Sequence, residues 1–264
     1  MNRVVPLVRV ASALTALVFL VFTFGFFFQE PWAVRLWPWP DSRLSYIFIA
    51  SMWAAVTVPL LWLAIIPDWH AAVGGGLNLA IAFAGMTANL GLMVAGGQRP
   101  LLPYLAGCAV IALGYLAGAI WAWFQPLRDG CPMPRLVRYS FWFFTVALVL
   151  TALALIFKVP TIFPWPLKPE SSVMFGWVFM GAALYFAYGA LQRNWHDARG
   201  QLLGFLAYDL ILIGPFLAHS ASVTPDHLLS LIIYVLVLIY SGALAIFYLF
   251  VNPRTRGWGI QVSH

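Results

Sequence analysis

Eight stretches of roughly twenty apolar residues dominate the chain, at about 10–28, 44–66, 72–96, 103–124, 138–157, 173–191, 201–219 and 228–250. Each breaks at proline, glycine or charge. A helix needs about 20 apolar residues to cross a hydrocarbon core of roughly 30 Å. In lipid the backbone must satisfy its own hydrogen bonds, which leaves helices or closed barrels. Barrel strands alternate apolar and polar residues, and the run from Leu14 to Phe28 does not. The expected fold is therefore all-α: a polytopic integral membrane protein with eight transmembrane helices. Composition points the same way. Only 8% of residues are charged, against about a quarter in an average soluble domain, so lipid must be the solvent. The sixth and seventh stretches are the shortest and most polar. The first follows Arg3 and Arg9 but lacks a small-x-small cleavage site before Gln29-Glu30, so it reads as a retained span.

The chain also repeats itself. Pro38-Trp39-Pro40 precedes Trp69-His70 by the same 31 residues (69 − 38; 195 − 164) that separate Pro164-Trp165-Pro166 from Trp195-His196. The pattern W-H-x-A-x-G continues through Gly74 and Gly200, and one offset, 126 (164 − 38), relates the copies. An offset of four spans preserves direction. The expectation is two parallel four-helix repeats, residues 1–126 and 127–264, about a pseudo-twofold axis along the membrane normal, in a single membrane domain. The joint at 125–134 is the most Pro/Gly-rich polar stretch.

Charge placement sets orientation. Eight spans put both termini on one side, which carries nine cations: Arg3, Arg9, Arg128, Arg135, Arg138, Arg193, Arg199, Arg254 and Arg256. The other side carries five: Arg35, Arg43, Arg99, Lys158 and Lys168. The excess predicts cytoplasmic termini in a bacterial inner membrane. The arginines are scattered without an aromatic platform, so the partner is the lipid bilayer and no nucleic acid is implied. Cys108 and Cys131 sit at different depths and form no metal-ligand pair. The proline-framed tryptophans of the outer loops at 29–43 and 158–172 read as an interfacial belt, with a lid over a cavity as the alternative. Gly107, Gly114 and Gly118, and the stripe Ala84, Thr87, Ala88, Gly91 and Ala95, read as helix-packing faces.

Few residues can carry chemistry. Asp209 falls mid-span with Phe205, Leu206, Leu212 and Ile213 as its helical neighbours, so its partner must come from another element. Asn78, Asn89, Thr57, Tyr115 and Tyr185 are the candidates. An intramembrane acid is a functional candidate by default, as proton carrier or catalytic acid; the plain alternative is a neutral acid joining two helices. Its repeat-mate is Phe83 (209 − 126). His70 and His196 are repeat-mates at span starts. Each could make a local hydrogen bond, both together could ligate a metal or haem iron, or they could gate a pathway by protonation. His219 and His227 flank a loop whose Ser, Thr and Asp suit a helix N-cap. No nucleotide, hydrolase or Schiff-base signature occurs and no cofactor is specified. Three functions follow: transport or permeation of a small, largely apolar or zwitterionic solute; an accessory subunit packing against partner membrane subunits or its own copies; or an intramembrane acid–base enzyme on a lipid or isoprenoid, Asp209 assisted by Tyr208 or Glu30.

Overall fold

The computed structural model describes residues 4–66, 68–126 and 131–256. Arg3, Arg128 and residues 127–130 of the joint lie outside the described residues. Eight long helices carry the eight apolar stretches: α1 Val4–Phe27, α2 Arg43–Ile65, α3 Ala72–Ala95, α4 Leu102–Trp123, α5 Arg135–Ile156, α6 Pro169–Gln192, α7 Trp195–His219 and α8 Pro225–Ile246. Each is long and apolar enough to cross a membrane. Among the described residues there is no strand, only an isolated bridge between Pro132 and Asn194. The protein is thus an all-α, multi-pass integral membrane protein. The two most polar stretches form full helices of 24 and 25 residues. For α6 the reason is burial: it is the most enclosed of the eight, so its small and hydroxylated residues meet protein instead of lipid.

The described chain divides into two compact units, and each draws on both halves of the sequence. The first comprises residues 1–37, 42–68 and 199–264: α1, α2, most of α7, and α8. Trp53 packs on Phe19 and Phe22, with ring centroids 4.7 and 5.3 Å apart, and Phe26 stacks on Tyr46 at 6.3 Å. The Arg9 Nε donates to the Ala64 carbonyl in the last turn of α2, 3.0 Å away. Pro59 lies inside α2 and has no N–H to give the Ala55 carbonyl four residues back. Gly204 of α7 presses on that carbonyl: a Cβ at Gly204 would lie 2.8 Å from it.

The second unit comprises residues 38–41 and 69–198: α3 to α6 and the first turn of α7. Here the Arg138 Nε donates to the Ala190 carbonyl in the last turn of α6, 3.1 Å away. Ser172 Oγ donates to the Leu155 carbonyl at 2.8 Å. The Trp177 indole covers Gly85, and Gly181 abuts the Asn78 carbonyl so closely that a Cβ has no room. Phe163 and Trp165 are buried; Phe163 meets Phe175 and Phe179 with centroids 5.9 Å apart. The belt reading therefore fails for the second outer loop: its aromatics fill this unit's core, because Phe163 finds ring partners there. The small-residue stripes also face differently from expectation. Gly107, Gly114 and Gly118 meet nothing within 4 Å of an added Cβ, and Ala84, Ala88 and Ala95 are exposed.

Arginine at a helix C-terminus satisfies a terminal carbonyl and complements the dipole. We expect Arg9→Ala and Arg138→Ala each to lower stability by about 1 kcal/mol in thermal unfolding. Lysine should not restore it, because it lacks the Nε–H. Full restoration by Arg138→Lys would remove the carbonyl contact from the account.

Candidate functional site

Asp209 lies in the first unit on α7, only 5% exposed. Its Oδ2 stands 2.8 Å from Ser241 Oγ on α8. Ser241 is fully buried and also lies 2.7 Å from the Val237 carbonyl, one helical turn back. Beside it, Gly242 leaves room: a Cβ there would sit 3.5 Å from Asp209 Oδ2. Asp209 Oδ1 is buried with no hydrogen-bond partner among the described residues. The adjacent Tyr208 lies near Tyr234 of α8 and meets the Phe48 ring edge-on at 6.0 Å. Thr57 bonds the Trp53 carbonyl of its own helix at 2.8 Å.

Proton accounting at this site is tight. The serine hydroxyl has one hydrogen and three acceptors within reach, Asp209 Oδ2, Val237 O and, farther off at 3.3 Å, Leu238 O. A carboxyl proton on Oδ2 resolves the conflict: the acid donates to Ser241 Oγ, and Ser241 donates to Val237 O. With Asp209 as a carboxylate, the same geometry lets the hydroxyl donate to Oδ2 instead. The Val237 carbonyl can accept the helical N–H of Ser241, so its release orphans nothing. These heavy-atom positions are therefore compatible with either protonation state of Asp209. The partner Ser241 was absent from the sequence-derived candidates; it is one of several hydroxyl residues of the eighth span, with Ser230, Tyr234 and Tyr240, and nothing in the sequence singles it out. Glu30 is exposed beyond the end of α1, whereas Asp209 is buried.

The two histidines part company. Both belong to the second unit. His70, 7% exposed, sits in a 3₁₀ turn, Trp69–Ala71, that leads into α3. Its Nδ1 lies 3.4 Å from Asp197 Oδ1. Asn194 Nδ2 donates to the other oxygen, Oδ2, at 3.5 Å. The chain around Asn194 is held from both sides: Met133 N–H donates to the Arg193 carbonyl and Trp195 N–H to the Cys131 carbonyl, at 2.8 and 2.9 Å. Arg193, which caps α6, takes the left-handed conformation at φ 62°. Asp197 in the first turn of α7 also suits the helix dipole. His196 is half-buried. Among the described residues no group of three or more His, Cys, Asp or Glu is placed to hold a metal ion. At the other end of α7, His219 Nδ1 and Ser222 Oγ lie 3.2 Å apart, while His227 is buried in the first turn of α8. Thr224 takes the N-cap position without a side-chain cap bond, and Pro225 opens the helix.

No protein-family model, characterised protein or solved structure matches this chain.

Proposed function

We propose that the protein is a transport or permeation protein for a small, largely apolar or zwitterionic solute, with Asp209 as its proton-carrying group. The observation that carries this reading is the Asp209–Ser241 pair: an acid enclosed between two spans, with a hydroxyl that serves either protonation state. A residue that only glued two helices would have no use for the second state. The proposed setting is a bacterial inner membrane with both termini in the cytoplasm, supported by the nine-to-five arginine and lysine bias.

The same proposal includes internal duplication. Three features support it. Helix starts recur at 126 residues: Arg43 and Pro169 (169 − 43), Trp69 and Trp195 (195 − 69), Arg99 and Pro225 (225 − 99). The arginine contacts also correspond, Arg9–Ala64 with Arg138–Ala190, by offsets of 129 (138 − 9) and 126 (190 − 64). Finally, the close crossing of Ala55 and Gly204 corresponds to that of Gly181 and Asn78, by 126 at each member (181 − 55; 204 − 78). The glycine has simply changed sides. Under that offset α1, α2, α7 and α8 map onto α5, α6, α3 and α4, so each unit is the counterpart of the other.

A hydrophobic carbodiimide tests the Asp209 reading, because it adds across its C=N bond only to a carboxylic acid, whose proton it takes up. Dicyclohexylcarbodiimide applied to the full chain in membranes should label the 205–213 region at Asp209 and leave Asp209→Asn unmodified there. A wild-type chain that stays unlabelled from mildly acidic to neutral pH would refute a proton-carrying Asp209.

A second reading, an accessory subunit or homo-oligomer, draws on the open glycine face of α4, where a Cβ at Gly107, Gly114 or Gly118 would meet nothing within 4 Å among the described residues. Such faces let helices of partner membrane proteins approach closely. Gly114→Leu that abolished co-purification of a partner and left solute movement unchanged would favour it.

A further inference from the structure

We propose that His70 and Asp197 form a second proton-binding site, in the second unit, whose basic atom is His70 Nε2. Asp209 plays no part in this inference, which stands on a separate cluster. The two residues are 127 positions apart and meet where α3 begins and α6 gives way to α7. Several groups surround the imidazole. Asp197, from the first turn of α7, accepts from Nδ1. Asn194, just before that turn, occupies the second carboxylate oxygen and so fixes which oxygen is left for the imidazole. Trp123 of α4 lies beside the ring, centroids 6.1 Å apart. Tyr185 and Tyr188 of α6 crowd the Gly74 backbone below, near enough to feel the Asp197 charge.

A carboxylate on Nδ1 decides the tautomer. It needs a hydrogen on Nδ1, which leaves Nε2 with a free lone pair as the atom that takes up a proton. Nδ1 and Asp197 Oδ1 stand 3.4 Å apart, and a proton taken up at Nε2 would make the Nδ1–H contact charge-assisted. The site is also one-sided. The position equivalent to Asp197 is Ala71 (197 − 126), so the second copy of the W-H-x-A-x-G pattern cannot build the same dyad around His196. Asp197 is therefore a positioning residue for His70, and the repeat offers no carboxylate at the matching position, Ala71, for His196.

The test is ¹⁵N NMR of the full chain labelled at histidine, with His70 assigned by the signal lost in His70→Gln. At a pH where the ring is neutral, His70 should show a protonated Nδ1 and an unprotonated Nε2. In Asp197→Asn, whose carboxamide can donate to Nδ1, the majority tautomer should invert to Nε2–H, while the His196 signal stays put. A purely structural Asp197 would move stability and leave the tautomer alone. The proposal falls if wild-type His70 carries its hydrogen on Nε2. It falls equally if Asp197→Asn leaves the wild-type tautomer in place. The wild-type measurement decides even if the variant does not fold.

Discussion

Gly204→Ala and Gly181→Ala should each destabilise the folded chain by about 3 kcal/mol, the upper end of the range for overpacking. In both cases the new methyl meets a main-chain carbonyl of the neighbouring helix, Ala55 in the first unit and Asn78 in the second. A side chain could swing aside; a helical carbonyl moves only if the helix moves. Ala82 Cβ, 3.1 Å from the same added atom at Gly181, blocks one direction of relief. The higher helix propensity of alanine recovers up to about 1 kcal/mol of this. Gly114→Ala and Gly118→Ala are the controls. They have open space, so propensity acts alone and they should be neutral or slightly stabilising. Unfolding in detergent titrated with dodecyl sulfate reads all four. The two crossings lie in separate units and share no partner, so the double variant should show additive losses. Four variants with equal stability would mean that neither crossing is as close as described.

Asp209→Asn should reduce proton movement coupled to solute by at least about a hundredfold, the low end of what a positioned proton-transfer group supplies. Proteoliposomes carrying an internal pH dye, challenged with the zwitterions glycine and betaine, give the measurement. Folding should hardly change, by less than about 1 kcal/mol. The carboxamide can donate to Ser241 Oγ as the carboxylic acid does, and Ser241 keeps Val237 O. What is lost is the ability to exist in a second protonation state. Asp209→Leu separates the two roles further. It removes a buried oxygen, Oδ1, that has no partner among the described residues, so it should fold at least as well as wild type while remaining inactive. Coupled proton movement that survives in either variant removes Asp209 from the mechanism.

Particular residues show where sequence reasoning reached and where it stopped. Asp209 was visible because an ionisable group inside twenty apolar residues is anomalous whatever the packing. Ser241 was not, since a hydroxyl residue in a span is ordinary until a neighbouring helix brings an acid to it. Repeat symmetry led to His196 as the companion of His70. The companion found is the next residue, Asp197, because the 3₁₀ turn at Trp69 and the pinned segment at Arg193 to Trp195 present Asp197, and not its neighbour, to the imidazole. The glycine pattern of α4 was visible too, but pattern alone cannot say whether a small-residue face looks at protein or at lipid.

Span number, helical class and the 126-residue echo were settled by local quantities, namely stretch length, apolarity and motif spacing, which any segment carries before it packs. Tertiary structure alone decided which helices from the two halves share a unit, which carbonyl each close glycine meets, and which side chain answers each buried ionisable group. Those are contacts between residues 32, 52, 55, 103, 127 or 149 positions apart. They depend on helix rotation and depth, to which hydrophobicity around a lipid-embedded helix is nearly indifferent.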